Sequence, residues 1–475
     1  MITGERMAAV DENAAALGVP RKQLMESSGH AVARAVRDVA EPGASVTIVA
    51  GRGNNGGDAF VAVRFLEAYD VTTLLLGRGD RIGTAIAREN WDALQQADYD
   101  TREVADSSEF SLPASDIVVD AMLGTGISGE LREPAATAAD AINDADATVV
   151  SVDVPSGFDA EAGEHADTGV VADHVVTFHD TKPGLENLKA EITVADIGIP
   201  AAAERFVGPG DVTLARPDGR EGRPYVIGGG PYTGAPALAA QAALRASAEL
   251  AFVAAPETVS REIQGYSEDL IVQPYESEVL TPDVAEDLLE TAQQYDNAVV
   301  LGPGLGTDED TLAAAKQFLE SFTGRVVVDA DALEVVPDLE TEATLICTPN
   351  RGELARMGGP DTDDLAAVAA EIEAFAAELG HVVLAKGGTD VITDGERTRL
   401  SRSGTVGMKV GGTGDTLAGI VAALLEHADP LEAAAAAAHV NGLAGERLAA
   451  TEGHGFLASE LLEEIPAVLW GKSDV

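Results

Sequence analysis

The stretch Val46–Asp58, VTIVAGRGNNGGD, decides the fold of the first half of the chain. An apolar run typical of a buried strand leads into a loop of glycine and asparagine, and this loop opens a helix. Glycine permits positive φ and a close approach of the backbone, and the first N–H groups of a helix lack partners within it. The stretch therefore predicts a strand–loop–helix unit that binds phosphate, with a purely structural turn as the alternative.

Short apolar runs alternate with longer helical patterns on both sides of this stretch, which is typical of parallel sheets covered by helices on both faces. The first series contains the predicted strands Ser45–Ala50, Val71–Leu76, Ile117–Asp120, Thr148–Val152 and His174–Phe178, with helices at Gly57–Tyr69 and Thr84–Gln96. A second series begins at Tyr225 and contains the predicted strands Ala298–Leu301, Arg325–Asp329, Thr344–Cys347 and His381–Ala385, followed by helices at Thr413–Glu426 and Leu431–Ala450.

The stretch between the two series is rich in glycine, proline and charge, and such a composition favours a linker. We therefore predict an α/β protein of two three-layer α/β/α domains, residues 1–208 and 224–475, joined by a linker at 209–223. A length of 475 residues suits two or three domains at about 100–200 residues each.

The net charge excludes several partners. The chain has 31 basic and 80 acidic residues, which gives a net charge of −49, so a general nucleic-acid surface or an anionic-membrane surface is not expected.

The chain has one cysteine, Cys347, which excludes a disulfide framework. Residues 1–30 lack a targeting pattern, and no apolar run reaches the ~18 residues of a membrane span. We expect a cytoplasmic protein.

The acidic residues are spread along the whole chain, from Glu5 to Asp474. Only seven residues are lysines, and aromatic residues make up 4%. Such a composition resembles that of halophilic, salt-accumulating organisms, since salt at ~1 M shortens the screening length to ~3 Å and so weakens self-repulsion. A surface for basic partners is the alternative.

Two further predicted strands end in polar clusters, in the stretches Asp116–Gly126 (DIVVDAMLGTG) and Val150–Gly157 (VSVDVPSG). Ligands of open α/β sheets bind beyond the carboxyl ends of the strands, where these clusters should meet the first loop. A single aspartate there more often caps a helix. Asp120, Asn55 and Ser156 together offer hard oxygen ligands for a potassium-, sodium- or magnesium-type ion.

These segments, with Leu24–Gly29 (LMESSG) and Val176–Gly184 (VTFHDTKPG), resemble the YjeF N-terminal family, the NAD(P)H-hydrate epimerases, over about residues 1–205. The resemblance implies a Rossmann-like domain that interconverts the R and S forms of hydrated NADH or NADPH. It also implies potassium at Asn55, Asp120 and Ser156. The implied hydrate-binding residues are Asn54, Asn55, Gly56, Gly57, Asp58, Gly124, Thr125, Gly126, Ile127, Ser128, Gly129, Glu130 and Asp153.

Epimerisation at a hydrated ring carbon needs proton movement, through ring opening or through loss and return of water. We predict that Asp153 is the acid–base group and that Lys182 is its electrostatic partner. A solvated loop lysine is the alternative for Lys182. Many family members have an arginine at the end of the second loop, whereas here Ser128-Gly-Glu-Leu precedes Arg132.

In the second half, the stretch Gly411–Gly419, GGTGDTLAG, opens a long predicted helix. Its glycines and the helix N-terminus form an anion-binding nest. Asp415 lies in the first turn, where the helix dipole favours a carboxylate. A simple capping role is the alternative.

This motif resembles the ribokinase-like superfamily, in which the aspartate activates a hydroxyl for phosphoryl transfer. The segments Gly228–Pro236, Leu301–Gly306, Val328–Leu333, Leu345–Glu353 and Ala385–Asp390 narrow the resemblance to the YjeF C-terminal family, the ADP- or ATP-dependent NAD(P)H-hydrate dehydratases. The resemblance implies hydrate contacts at Ala235, Gly304, Asn350 and Asp415, and nucleotide contacts, with Mg²⁺ and ADP, at Lys386, Gly387, Gly388, Thr389, Asp390 and Gly414. Many relatives have histidine at the position of Asn350, and Asp390 alters the usual glycine run.

The two resemblances together imply a bifunctional enzyme, an epimerase (isomerase) that supplies the S hydrate to a dehydratase (lyase). Its partners would be hydrated NADH or NADPH and ADP or ATP. One alternative is a small-molecule kinase of the vitamin-precursor type fused to a binding domain, and another is a protein scaffold. The sequence leaves the oligomeric state open, a homo-oligomer included.

Overall fold

The structure is a computed structural model that describes residues 1–126, 129–295 and 297–471. The chain forms two compact units, Met1–Pro200 and Ala201–Val475. Each is built around its own twisted sheet, so the predicted α/β class is confirmed. Within the described residues, no helix is both long and apolar enough to cross a membrane.

The N-terminal unit contains a seven-stranded, all-parallel sheet in the order β3-β2-β1-β4-β5-β6-β7. Its strands are β1 (Ser45–Ala50), β2 (Asp70–Leu76), β3 (Thr101–Val104), β4 (Ile117–Ala121), β5 (Thr148–Val152), β6 (His174–Phe178) and β7 (Glu191–Ala195). Its helices are α1 (Gly4–Ala16), α2 (Arg21–Val39), α3 (Asn54–Arg64), α4 (Ala85–Gln96) and α5 (Ala135–Asn143). The order reverses direction between β1 and β4, and that is where such sheets bind ligands.

The C-terminal unit contains a nine-stranded sheet in the order β10-β9-β8-β11-β12-β13-β14-β15-β16, parallel from β10 to β14, with β15 antiparallel to both β14 and β16. The strands are β8 (Tyr225–Ile227), β9 (Phe252–Pro256), β10 (Ile271–Tyr275), β11 (Val299–Leu301), β12 (Arg325–Val328), β13 (Thr344–Cys347), β14 (Val382–Ala385), β15 (Asp390–Thr393) and β16 (Thr398–Ser401). The helices are α6 (Ala201–Arg205), α7 (Pro209–Ala215), α8 (Gly234–Ala246), α9 (Glu257–Gln264), α10 (Pro282–Tyr295), α11 (Glu309–Ser321), α12 (Arg351–Arg356), α13 (Ala369–Leu379), α14 (Thr413–Leu425), α15 (Pro430–Glu452) and α16 (Ala458–Leu469).

Both faces of the second sheet are buried. Along β12, Val327 packs in a core with residues of α14 and α15. Its neighbours Val326 and Val328 pack in a different core, with residues of α11. Side chains alternate between the faces of a strand, so two cores require helices on both sides. The alanine run Ala433–Ala438 lies inside α15 and is buried there, because small side chains allow close packing.

The segment 209–223, predicted as a linker, begins instead with helix α7 inside the C-terminal unit. Asp211 is buried, accepts the Gly208 backbone N–H at 2.7 Å and pairs with Arg399 at 2.7 Å. A capped helix end and a buried ion pair thus order a stretch whose glycines and prolines indicated a flexible connection. The division between the units falls after Pro200, ahead of the predicted boundary at residue 208.

Candidate active sites

Three loops meet beyond the carboxyl ends of β1, β4 and β5 in the N-terminal unit. A Cβ on Gly51 would lie 1.8 Å from the Met122 carbonyl oxygen, so only glycine lets these loops approach so closely. The Asn55 amide, in the first turn of α3, donates to the Leu123 and Val152 carbonyls at 3.0 and 2.8 Å. Asn55 therefore ties all three loops together.

Asp120, at the end of β4, is 0% exposed. It accepts the Ser156 hydroxyl at 2.6 Å and the Ser156 backbone N–H at 2.8 Å, and the Ser151 hydroxyl at 2.9 Å. Its recorded partners are all neutral donors. Burial raises the pKa of this carboxyl above its ordinary value, although the hydrogen bonds from Ser156 and Ser151 oppose the rise.

The side chains of Asn55, Asp120 and Ser156 offer the type of donor atom that a potassium ion binds. All three side chains carry oxygen, the donor that hard cations prefer. A cation there would supply the positive charge that the buried Asp120 carboxylate otherwise lacks. Asn55, Asp120 and Ser156 are the side chains that would hold it.

Asp153 follows β5 and forms an ion pair with Lys182, whose side chain is 1% exposed; the Nζ–Oδ1 distance is 2.8 Å. The Lys182 ammonium also donates to the Thr177 hydroxyl at 2.8 Å and to the Phe178 carbonyl at 3.1 Å, and the Thr177 hydroxyl donates to Asp153 at 3.1 Å. Lys182 is therefore a buried partner rather than a solvated loop lysine. Asp153 has φ 66°, a strained conformation that is concentrated at functional sites.

These loops and helix α1 surround a cavity of about 1120 Å³. The lining includes most of the residues predicted from the sequence: Asn54, Asn55, Asp58, Gly124, Thr125, Gly126, Glu130, Asp153 and Lys182. Arg21, Arg52 and Arg132 also line it, and arginine is a side chain that binds phosphate well. Arg132, which follows the second loop, is thus one of the cavity-lining residues.

Three predicted binding residues do not line the cavity. Gly56 and Gly57 are buried, and a Cβ on either would collide with the backbone of Gly51 or with the side chains of Met25 and Ala87. They let α3 pack, which is why the motif needs them. Gly129 has φ 91°, in the left-handed region that favours glycine. Ile127 and Ser128 lie outside the described residues.

Two carboxyl groups in the cavity lack a cationic partner as close as that of Asp153. Burial raises the pKa of Asp58 well above its ordinary value, and the charges of Asp153 and Asp11 add to the rise. Burial likewise raises the pKa of Asp11, on α1, to about 6. Sequence reasoning missed Asp11, because it lies on a separate helix with no motif around it.

In the C-terminal unit, the strand order reverses between β8 and β11. The predicted site residues follow β8, β11, β13 and β14, and Gly414 and Asp415 lie in the first turn of α14. Lys386 follows β14 and pairs with Asp329, which follows β12, at 2.8 Å. The Thr348 hydroxyl holds the same carboxylate oxygen at 2.7 Å. A Cβ on Gly414 would lie 3.0 Å from the Lys386 Nζ atom, so this ammonium sits beneath the first turn of α14.

Asp415 lies in that first turn, after Gly412 at φ 103°. Burial raises its pKa to about 7, with Asp329 and Glu353 adding to the rise and Lys386 opposing it. Burial alone would lower the pKa of Lys386, but the carboxylates of Asp329, Glu353 and Asp415 raise it. Three carboxylates therefore surround one lysine. The sequence predicted only Asp415 and Lys386 of these four.

Asn350 and Glu353 form a reciprocal cap on α12. The Asn350 side chain accepts the backbone N–H of Glu353 at 3.1 Å, and the Glu353 carboxylate accepts that of Asn350 at 2.7 Å. The amide oxygen of Asn350 is thus used by the helix. Only its Nδ2 group is left for a hydrate.

The loop that follows Lys386 is fixed by Asp390, whose carboxylate accepts the Gly387 backbone N–H at 2.8 Å. Burial raises the pKa of Asp390 to about 7. Asp390, which interrupts the usual glycine run, therefore stabilises the loop through this hydrogen bond. Gly388 has open space around it, whereas Gly387 contacts Leu365 closely, and Thr389 is half-buried.

The two remaining predicted hydrate contacts occupy loops of the same sheet edge. Ala235 lies in the first turn of α8 and is half-buried. Gly304 has φ 74°, and a Cβ there would lie 2.3 Å from the Tyr232 carbonyl oxygen. Gly304 therefore brings the loop after β11 against the loop after β8.

Across the described ranges, no group of three or more histidine, cysteine, aspartate or glutamate side chains could hold a metal ion by itself. Mg²⁺ usually uses only one or two protein carboxylates and the phosphates of its nucleotide. Asp329 and Glu353 beside Lys386 fit that pattern. They are the residues that would meet the ion.

Two protein families match the chain. The family described as NAD(P)H-hydrate dehydratase matches residues 225–467, and the family described as YjeF-related protein N-terminus matches residues 21–184. A bifunctional NAD(P)H-hydrate repair enzyme of Pyrobaculum aerophilum is 41% identical over 98% of both chains. Its counterpart in Methanothermobacter thermautotrophicus is 40% identical over 98% of this chain and 94% of its own.

The chain belongs to the bifunctional NAD(P)H-hydrate repair enzymes. The resemblance predicted from the motifs is confirmed for both halves. Among solved structures, an ADP/ATP-dependent NAD(P)H-hydrate dehydratase from Bacillus subtilis, co-crystallised with ATP/Mg²⁺, is 26% identical and covers 56% of this chain and 97% of its own, with a TM-score of 0.48. The yeast protein YNL200c is 25% identical, over 41% and 87%, with a TM-score of 0.37.

Proposed function

We propose that the N-terminal unit interconverts the R and S hydrates of NADH and NADPH, and that the C-terminal unit dehydrates the S hydrate at the expense of ADP, giving AMP and phosphate. One observation carries this proposal: a single chain, similar along its whole length to bifunctional repair enzymes, has a polar site at the switch point of each sheet. The first activity supplies the substrate of the second.

In the epimerase site, the cavity holds the hydrate and its arginines bind the phosphates. Asp153 lines the cavity beside the ring, and its ion pair with the buried Lys182 fixes its position. A carboxyl group placed there stabilises the positive charge that develops on the ring in the transition state. Potassium at Asn55, Asp120 and Ser156 would fix the three loops.

In the dehydratase site, Asp415 takes the proton from the hydrate hydroxyl while that oxygen attacks the terminal phosphoryl group of the nucleotide. The electron pair of the ring nitrogen then expels phosphate and forms a C=N bond, and loss of a proton from the adjacent ring carbon to water restores the dihydronicotinamide. Phosphate is a far better leaving group than hydroxide. Lys386 and the first N–H groups of α14 bind the phosphates, and Mg²⁺ with Asp329 and Glu353 would neutralise their charge.

We further propose that the protein works in the cytoplasm of a salt-accumulating organism. The support is its net charge of −49 and its seven lysines. Two phosphate-bearing substrates must approach a strongly negative protein, and concentrated salt screens the repulsion.

The test is to incubate the S hydrate with ADP, with ATP or without nucleotide, and to follow the return of dihydronicotinamide absorbance. The expected result is recovery that requires nucleotide, favours ADP and needs Mg²⁺. The R hydrate should recover as well, faster as potassium is raised. Phosphorylation of a vitamin-precursor alcohol, with no recovery from the S hydrate, would favour the kinase alternative.

A further inference from the structure

One face of helix α1 forms a wall of the epimerase cavity. The residues of α1 that line the cavity are Gly4, Met7, Ala8 and Asp11, spaced at three and four residues as one helix face requires. A Cβ on Gly4 would lie 3.1 Å from the Thr125 hydroxyl oxygen, so this face closes directly against the second loop. Asp11 is the only titratable residue on it.

Asp11 lines the cavity with a carboxyl oxygen that has no hydrogen-bond partner among the described residues. This atom, Oδ1, is buried. Asp120 and Asp153, in contrast, both accept hydrogen bonds from neighbouring groups. A buried polar group without a partner costs stability, so its retention calls for an explanation. A group on the ligand would be its natural partner.

The charged groups that reach Asp11 come from four other segments. They are Arg21 on α2, Asp58 on α3, Asp153 after β5, and His179 and Lys182 after β6. Lys182 pairs directly with Asp153. Asp153 is therefore already engaged by an ammonium and by the Thr177 hydroxyl.

The reaction nevertheless needs a group that both gives and accepts a proton. Asp58 is another carboxyl group in the cavity, and burial raises its pKa well above the ordinary value. Asp11, with a pKa of about 6, can exchange its proton near neutral pH. Asp11 is thus matched to this task.

We propose that Asp11 is the acid–base group that transfers the proton during epimerisation, a role that rests on the proposed epimerase activity of this unit. The Asp11 carboxyl gives its proton to the ring hydroxyl, the C–O bond breaks, and the electron pair of the ring nitrogen forms a C=N bond as water leaves. Water then attacks the other face of that carbon, the C=N electrons return to nitrogen, and the Asp11 carboxylate takes the released proton. No oxidant or reductant is consumed.

The test uses the full-length chain and the pure R hydrate, with S hydrate formation followed by chromatography from pH 5 to pH 9. For Asp11→Asn, the kcat for epimerisation should fall by about 10²-fold or more, while the KM for the R hydrate changes by less than about threefold, since binding rests on the arginines and loops. The decline of the wild-type rate above pH 6 should also disappear. Glu5→Gln is the matched control, because Glu5 is exposed on the same helix, and it should leave both parameters unchanged.

Asp11→Glu keeps a carboxyl on the same helix face and should restore part of the lost kcat together with the pH decline. This variant keeps the test decisive if circular dichroism shows that Asp11→Asn has lost its fold. An Asp11→Asn protein with wild-type kcat, or an Asp11→Glu protein that is folded but has no pH-dependent rate, would overturn the assignment. A wild-type protein that binds the R hydrate without epimerising it would instead refute the proposed epimerase function and, with it, this role.

Discussion

Each unit places a lysine 2.8 Å from an aspartate at the carboxyl ends of its strands, yet the two pairs are built differently. The Lys182 side chain is 1% exposed, and its ammonium donates to Asp153, Thr177 and main-chain carbonyls. The Lys386 side chain is 20% exposed and makes one recorded hydrogen bond, to Asp329. An ammonium has three donors, so Lys386 retains donors for a ligand and Lys182 does not.

The surroundings of the two pairs explain this difference. The epimerase site must hold one carboxylate in place, so its lysine is saturated by the protein. The dehydratase site must bind a phosphate chain and its cation, so three carboxylates surround a lysine that still has donors to offer. We therefore propose that the ion pair supports the fold in the N-terminal unit and that Lys386 binds a ligand in the C-terminal unit.

The largest expected effect is that of Asp415→Asn in the dehydratase site. Loss of the base should lower the kcat for nucleotide-dependent dehydration by about 10²–10⁴-fold. Because the epimerase residues belong to the other unit, the R–S interconversion rate of the same protein serves as the control and should not change. Wild-type consumption of nucleotide by this variant with the S hydrate would contradict the role of Asp415.

Replacing each lysine by methionine tests the comparison directly. Lys182→Met leaves a buried carboxylate unpaired, so the free energy of unfolding of the N-terminal unit should fall by about 3–5 kcal/mol, measured by urea denaturation. Lys386→Met removes a charge-assisted contact and should raise the KM for ADP by about 10-fold to 100-fold. Asp329 is buried as well, so the C-terminal unit should also lose stability, and the contrast between the two pairs lies in the KM for ADP. An unchanged KM for ADP in Lys386→Met would show that both pairs only support the fold.

The sequence predicts the central strands well, because each is a continuous apolar run buried on both faces. β1, β5, β6 and β13 have the predicted bounds. The prediction did not include edge strands such as β3 and β16, whose polar residues resemble loops. It also placed a linker where Asp211 and Arg399 stabilise α7, an interaction between residues far apart in the chain.

The candidate sites likewise contain some residues that could be predicted from the sequence and some that could not. Motif residues at strand ends, such as Asn55, Asp153 and Asp415, could be predicted because parallel strands bring their carboxyl ends to one edge. Asp11 and Asp329 could not be assigned to a site. Asp11 lies before the matched family segment, which begins at residue 21, and the partnership of Asp329 with Lys386 depends on the strand order.

The two sites should respond to pH in opposite directions. Asp415, whose pKa burial raises to about 7, acts without its proton, so the dehydration rate should fall about tenfold for each pH unit below 7 and level off above it. Asp11, whose pKa burial raises to about 6, acts with its proton, so the epimerisation rate should fall as pH rises through 6. Initial rates of the two half-reactions, measured separately from pH 5 to pH 9, provide the check. Parallel profiles would remove this distinction between the sites.

The smallest effect concerns salt. At low ionic strength, the net charge of −49 should repel both anionic substrates and raise the KM for ADP roughly two- to fivefold. The measurement is a KM series over potassium chloride concentration, with circular dichroism used to confirm that the fold persists. A constant KM would show that the acidic surface acts on solvation alone.

The central claim is that two sites act in sequence on one metabolite, and the pure R hydrate with ADP and Mg²⁺ tests it most directly. Wild-type protein should restore dihydronicotinamide absorbance from the R hydrate, whereas Asp153→Asn should do so only from the S hydrate. Asp415→Asn should interconvert R and S without restoring absorbance, and a mixture of the two variants should recover the full conversion. The account would be contradicted if Asp153→Asn alone restored absorbance from the R hydrate at the wild-type rate.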